Sequence, residues 1–214
     1  MISGHKQSGK TTLANIFRAI DKNIYKYSYA EPIRQMAIAL YDYIDPEETL
    51  SHRRLLSGPD YERQKSAKLL NGITSRQIMQ TLGTEWGRHA LRQSLWIDIL
   101  WSRMNADRKS AGVTSAVIDD VRFPDELKLP DNMFGDIVHI HIQRNDNGSY
   151  DDEHESESHE PYMHDNAHFL IDNSSSIEAL KEVARRILGD IKRNGLSKSR
   201  KQLRYDTERD AYGI

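Results

Sequence analysis

Eight residues near the start of the chain, Gly4-His5-Lys6-Gln7-Ser8-Gly9-Lys10-Thr11, repeat the spacing G-x-x-x-x-G-K-[ST]. The spelling has a physical reason. Gly4 and Gly9 admit backbone angles closed to residues with a Cβ, so the segment can curl until its N–H groups converge on an anion. Lys10 supplies an ammonium for the outer groups of a polyphosphate, and the Thr11 hydroxyl is a suitable ligand for Mg²⁺. Thr12 to Ile20 continues in a helical pattern whose positive end faces the same anion. Such a loop asks for a strand before it and a helix after it. Only Met1, Ile2 and Ser3 precede Gly4, against a usual strand of about 5–6 residues. Two readings stay open, a very short first strand or a true start upstream.

With 214 residues the chain is long enough for one α/β domain with a sizeable core. Hydrophobic residues make up 37% and charged residues 29%, the balance of a soluble, polar protein. A formal net charge of −2 leaves no basic excess to neutralise a nucleic-acid backbone, which argues against a general nucleic-acid binder. The absence of Cys excludes a disulfide framework and a thiolate zinc site. No run of about 18 apolar residues suggests a membrane span. The phosphate loop occupies the place of a signal peptide's apolar stretch, so the expected location is the cytoplasm.

Further along, Ile24 to Tyr29 reads as a short strand, and Ala30-Glu31-Pro32 opens a helix striped by Ile33, Met36, Ala37 and Leu40 and ended by Asp45-Pro46. Glu47 to Asn71 is charged and weakly periodic, with a turn at Ser57-Gly58-Pro59. Thr74-Ser75-Arg76-Gln77 has the form of a capping box. In the helix it starts, Ile78, Met79 and Leu82 face the core, while Arg76, Gln80 and Thr84 share another face. Gly83 leaves room for a close approach. A second helix carries Leu91, Leu95, Trp96, Leu100 and Met104. Ser115 to Val121 and Ile137 to Ile142 read as buried strands, and His168 to Ile171 as a third. Asn145 to Asn166 is polar, acidic and His-rich, a mobile excursion. An amphipathic helix runs through Ile187 and Leu188, and the residues from Lys192 onward read as a charged tail. Strands alternating with helices after a phosphate loop predict a parallel sheet flanked on both faces.

Asp119 and Asp120 end a strand, where a carboxylate can hold Mg²⁺ directly or through water. Arg122, two residues beyond Asp120, points to the same face on an extended chain. Arg76, Gln80, Arg88 and Arg122 are the polar groups suited to a second, phosphate-bearing substrate, Arg for its fork and Gln for a base edge. Trp86 and Trp96 can stack on a base, though Trp96 sits equally well in a core. His154, His159, His164 and His168 do not reproduce a familiar zinc spacing, and a lid that excludes water from the transferring phosphate suits that stretch better.

The blocks GHKQSGKTT, YAEPIR, TSRQIMQTLGTEWGR, DDVRFPDE, DEHESE and LIDNSSSIEAL, with Trp96, resemble the bacteriophage deoxynucleoside monophosphate kinases over nearly the whole chain up to about Leu188. The resemblance implies the α/β three-layer P-loop NTPase fold with a parallel sheet. Its kinase domain would cover 1–190, with a helical acceptor-binding region at about 31–105, a lid at about 143–166, and 191–214 as the tail. It implies transfer of the γ-phosphoryl of ATP, with Mg²⁺, to a deoxynucleoside monophosphate in the cytoplasm, in a phage host if the origin is viral. Carried over by motif, Gly4, Ser8, Gly9, Lys10, Thr11 and Thr12 hold ATP, with Thr11 on the metal, and Asn173 sits at the adenine. Arg76, Gln80, Gly83, Thr84, Arg88 and Trp96 form the monophosphate and base pocket, and Asp120, Arg122 and Glu126 its second wall, with Glu126 near the sugar. Lys10, Asp120, Arg122 and Arg144 are the expected catalytic groups. Thr11 stands where these enzymes often carry Asp, which returns the loop to the general form. The HESE block is also similar to phosphomevalonate kinases, so a kinase of another small phosphorylated metabolite stays open, as does a non-catalytic ATP-binding protein. The apolar helices are compatible with a homodimer.

Overall fold

The phosphate loop joins β1 (Ile2–Ser3) to α1 (Lys10–Ile20), so the first strand has two residues, both buried. The computed structural model describes residues 1–44, 47, 53, 56, 72–128, 137–144, 158–194 and 202–207. Most of the expected Glu47–Asn71 pieces, including the Ser57-Gly58-Pro59 turn, lie outside them, as does the 145–157 stretch. Two units divide the chain, Met1–Ser28 with Met104–Ile214, and Tyr29–Arg103.

In the first unit, β1, β4 (Ile140–Gln143), β5 (Phe169–Asp172) and β6 (Leu203–Asp206) form a sheet in that order, and β2 (Ile24–Tyr27) pairs with β3 (Ser115–Ile118). Every pairing among the described strands is parallel, with Ile2 opposite Ile140 and Ile140 opposite Phe169. The Val121 N–H donates to Ile2 O at 3.3 Å, which brings the continuation of β3 alongside β1. Parallel strands need crossovers, and α1 and α6 (Ile177–Asn194) supply two of them. Leu13, Ala14 and Phe17 of α1 meet Leu180, Val183, Ala184 and Ile187 of α6 in one core with Ile140, Ile142, Phe169 and Ile171. Strands covered on both faces bury alternate residues equally. His139 and His141, which alternate with the isoleucines, are accordingly 2% and 0% exposed.

The expected tail proves to hold a strand. β6 pairs with β5, Tyr205 packs against the core, and its hydroxyl donates to Asp190 on α6. Thr207 Oγ1 accepts from Ser175 N at 3.1 Å, a second tie. Charge content suggested a peripheral segment, but a strand at the end of the sheet, with Leu203 and Arg204 exposed and Tyr205 and Asp206 half-buried, tolerates a sequence as polar as Leu-Arg-Tyr-Asp.

The second unit is helical among its described residues. In α2 (Glu31–Ile44) the inward face is Ile33, Ala37, Ile38 and Tyr41, and the expected Met36 and Leu40 are exposed. The capping box at Thr74 forms as expected and starts α3 (Ser75–Gln80), with Tyr41 Oη 2.8 Å from Ser75 Oγ. Ile78, Met79 and Leu82 pack on Ala37, Ile38 and Tyr41. From Thr81 to Leu91 the backbone widens into a π-helical segment, which ends with Arg92 N bonded to Gly87 O. α4 (Leu95–Ala111) follows, burying Trp96, Leu100 and Met104, whereas Leu91 belongs to the π segment and is 54% exposed.

Candidate active site

The phosphate loop is shaped by three left-handed or otherwise glycine-favouring positions, Gly4 (φ 138°), Gln7 (φ 62°) and Gly9 (φ 106°). A Cβ on Gly4 would lie 2.0 Å from Ile142 O, and one on Gly9 would lie 2.5 Å from Asn173 Nδ2. The loop is therefore pressed against β4 and the end of β5, and glycine is a packing requirement there. Lys10 Nζ donates to Gly4 O at 2.7 Å and to His5 O. Two carbonyls thus hold the ammonium over its own loop. Thr11 is exposed in the first turn of α1, where the main-chain N–H groups lack intrahelical partners. Mg²⁺ carried by a polyphosphate takes few protein ligands, so one exposed hydroxyl fits it. Among the described residues no group of three His, Asp or Glu stands ready for a metal by itself. Thr12 is half-buried.

Two expected ATP contacts serve the loop from beneath. Asn173 is buried and its Nδ2 donates to Ser8 O at 2.9 Å, which braces the loop. Ser8 is 1% exposed and turns its Oγ inward.

Past β3, the two aspartates separate in role. Asp119 is 5% exposed and pairs with Lys26 on β2 at 2.8 Å. Asp120 accepts from Ser28 Oγ at 2.6 Å and is half-buried. Glu126, expected near a sugar, is 4% exposed, and its Oε2 takes the N–H groups of Arg122 (2.7 Å) and Phe123 (3.0 Å). That carboxylate folds the turn that presents Arg122. Arg122 then lines a pocket with Ser3, Gly4, Val121, His141, Glu160 and Met163. The structure brings the phosphate loop and Arg122 together.

In the second unit, the expected base pocket is partly core. Trp96 is 3% exposed, and its indole N–H donates to Gly83 O at 2.6 Å. A Cβ on Gly87 would lie 2.4 Å from the Trp96 ring, and one on Gly83 would meet Ile33 Cδ1 at 3.1 Å. Gly83 and Gly87 are thus the flat face that seats Trp96 and Ile33, and the close approach expected at Gly83 is made by a neighbouring side chain. Trp86 is the outward aromatic, 40% exposed and 6.3 Å from the Trp96 ring centre. Arg76 and Gln80 are half-buried on α3, and Thr84 and Arg88 are buried at 8% and 6% on the π segment. Since the helix widens at Thr81, the regular i, i+4, i+8 face expected for Arg76, Gln80 and Thr84 does not continue past Gln80.

Arg144 follows β4 directly and is exposed. Of the expected lid, 145–157 with His154 and the HESE block lie outside the described residues, and α5 (Glu160–Asp165) is a short helix. His141, His139 and Glu160 were not singled out by the sequence as site groups, because only strand pairing brings them to the loop. His141 Nε2 lies 3.0 Å from Glu160 Oε1, and His141 Nδ1 lies 2.9 Å from Ser3 Oγ. Burial pushes the His139 imidazole down to about 3 and that of His141 down to about 4, where Glu160 partly opposes the shift.

Among the described residues no helix is long and apolar enough to cross a membrane. No curated protein matches the chain. The family model described as deoxynucleotide monophosphate kinase matches residues 68–183, more than half of the chain. The matched span runs from α3 through Arg122 and β4 into α6, and the loop Gly4–Thr11 stands ahead of it. A parallel sheet that carries such a loop is the frame a phosphoryl-transfer enzyme needs. On that match the chain belongs to the deoxynucleotide monophosphate kinase family, enzymes that transfer a phosphoryl group to a deoxynucleoside monophosphate.

Proposed function

We propose that the phosphoryl donor is ATP, bound as its Mg²⁺ complex on the loop Gly4–Thr11, and that the Tyr29–Arg103 unit binds the deoxynucleoside monophosphate. The observation that carries this reading is the loop itself: three positive φ angles curl it, Lys10 lies over its mouth, and Arg122 lines the pocket beside Gly4. An anion entering there takes over the lysine from the Gly4 and His5 carbonyls. Thr11 would hold the Mg²⁺ that accompanies the nucleotide, and the ion would supply charge neutralisation to the polyphosphate.

An oxygen of the acceptor phosphate attacks the γ-phosphorus in line while the bond to the β–γ bridging oxygen breaks. The products are the deoxynucleoside diphosphate and ADP. No covalent intermediate with the protein is needed, and the chain contributes positioning and charge. Lys10 and Arg122 face the transferring group, Arg144 at the end of β4 reaches it from the other side, and Asp120 orders the groups around the metal. Arg76, Gln80, Thr84 and Arg88 bind the acceptor, with Trp86 as the aromatic available to its base. The same reading puts the enzyme in the cytoplasm, where both nucleotides occur, and the phage resemblance puts it in that of an infected host.

The test is ADP release from Mg-ATP with each deoxynucleoside monophosphate in turn, using AMP, phosphomevalonate and gluconate as controls. Turnover with one or more deoxynucleotides is expected, and Lys10→Ala should lower it at least about 100-fold with the fold intact. Turnover confined to a control acceptor, or a fully active Lys10→Ala, refutes the assignment.

A further inference from the structure

The first unit holds a string of hydrogen bonds to which the reaction scheme assigns no task. It runs from the Asn166 carbonyl to His139 Nδ1 (3.2 Å), His139 Nε2 to Ser3 Oγ (2.7 Å), Ser3 Oγ to His141 Nδ1 (2.9 Å), and His141 Nε2 to Glu160 Oε1 (3.0 Å). Glu160 Oε1 also lies 3.3 Å from His5 Nε2. His5 is the second residue of the phosphate loop, and its carbonyl accepts from Lys10. Ser3, His139 and His141 are buried, whereas the side chains of His5 and Glu160 are 44% and 22% exposed. The string begins in the core and surfaces at the loop.

A proton count gives it a direction. Four bonds need four protons, and both ends, a carbonyl and a carboxylate, are acceptors. Neutral His139, Ser3 and neutral His141 supply one each. The carboxylate claims its proton first, because a charge-assisted bond is the stronger. His141 then donates to Glu160, Ser3 to His141, and His139 to Ser3. The shortfall lands at the far end, between His139 Nδ1 and Asn166 O, which is the longest link of the four at 3.2 Å.

We propose that Glu160 is a positioning residue for the phosphate loop: aimed by His141 and Ser3, its carboxylate holds His5 and, through it, the carbonyls on which Lys10 rests. The inference rests on reading that loop as the ATP site. Its neighbours agree with the assignment, since Gly4 and Arg122 line the same pocket as Glu160 and His141.

The experiment compares Glu160→Gln, His5→Ala and the double variant by ATP calorimetry and by steady-state kinetics in which ATP and the acceptor are varied in turn. Each single change should raise the ATP Kd about tenfold, the size of one lost charge-assisted hydrogen bond, with the acceptor KM within about twofold. The double variant should be no worse than the worse single, because both break one linkage. Additive losses, or normal ATP binding in both singles, overturn the proposal. Should Glu160→Gln fail to fold in thermal melts, His5→Ala at its exposed position decides alone: weakened ATP binding supports the linkage and normal binding removes it. Lys10→Ala, run alongside, separates the two failures. If it still binds ATP normally, the reading of the loop falls; if it loses ATP while the other variants bind normally, only the role of Glu160 falls.

Discussion

Lowering the pH from 7.5 to 5 should unfold this protein far more readily, and the cause is two buried imidazoles. His139 and His141 are 2% and 0% exposed, and burial holds them down to about 3 and about 4. In the unfolded chain each returns to about 6.5. Between those limits the unfolded state binds protons that the native state refuses, so the stability these two groups contribute is complete above about pH 6.5 and is lost as pH falls toward 4. Each histidine costs about 1.4 kcal/mol per pH unit, which over 1.5 units comes to about 2 kcal/mol each and about 4 kcal/mol together at pH 5. Burial shifts His168 in the same direction. Against a typical total of about 5–15 kcal/mol this is a large share, equivalent to about 8–16 °C in Tm for a chain of this size. Urea unfolding at pH 7.5, 6 and 5 measures it by linear extrapolation. His139→Asn removes one titrating group and should lower the pH slope by up to about 1.4 kcal/mol per pH unit, whatever its effect on stability at pH 7.5. A wild-type slope below about 0.7 kcal/mol per pH unit, which is half a proton, would mean that these imidazoles are charged or solvated in the native state and would refute the reasoning.

Three further outcomes follow from the glycine and tryptophan geometry. Gly4→Ala should weaken ATP binding at least about 30-fold by calorimetry, because a methyl group 2.0 Å from Ile142 O forces the loop off β4; unchanged affinity would show that the loop does not need that contact. Trp96→Phe should cost about 1–3 kcal/mol in urea unfolding through the lost bond to Gly83 O, yet leave the acceptor KM within about threefold below the transition. Trp86→Ala should do the reverse, raising the acceptor KM about tenfold with little loss of stability. The opposite pattern would return Trp96 to the base pocket.

What a short stretch of chain decides by its own chemistry was legible. The curl of Gly4–Thr11 follows from glycine angles and helix-terminus electrostatics, and the capping box at Thr74 follows from side chain to main chain bonds three residues apart. Alternation of strands with helices pointed to the parallel sheet for the same reason, since burial on both faces writes an apolar run. The sequence alone therefore determined the class of fold, the curl of the loop and the placing of Arg122 beyond a buried strand.

Tertiary packing decided the rest. Whether an indole meets a base or a glycine face depends on which helix lies opposite, and Trp96 lies on Gly83 and Gly87. A carboxylate reads the same in sequence whether it pairs, caps or binds. Only the neighbours made Asp119 a partner of Lys26, Glu126 a cap for the turn that presents Arg122, and Glu160 the end of a string reaching His5. Asn173 sits 165 residues from Ser8 in sequence and braces it in space. The strand at Leu203 belongs to the same class, set by its pairing with β5 across the fold, a property no local pattern of side chains carries.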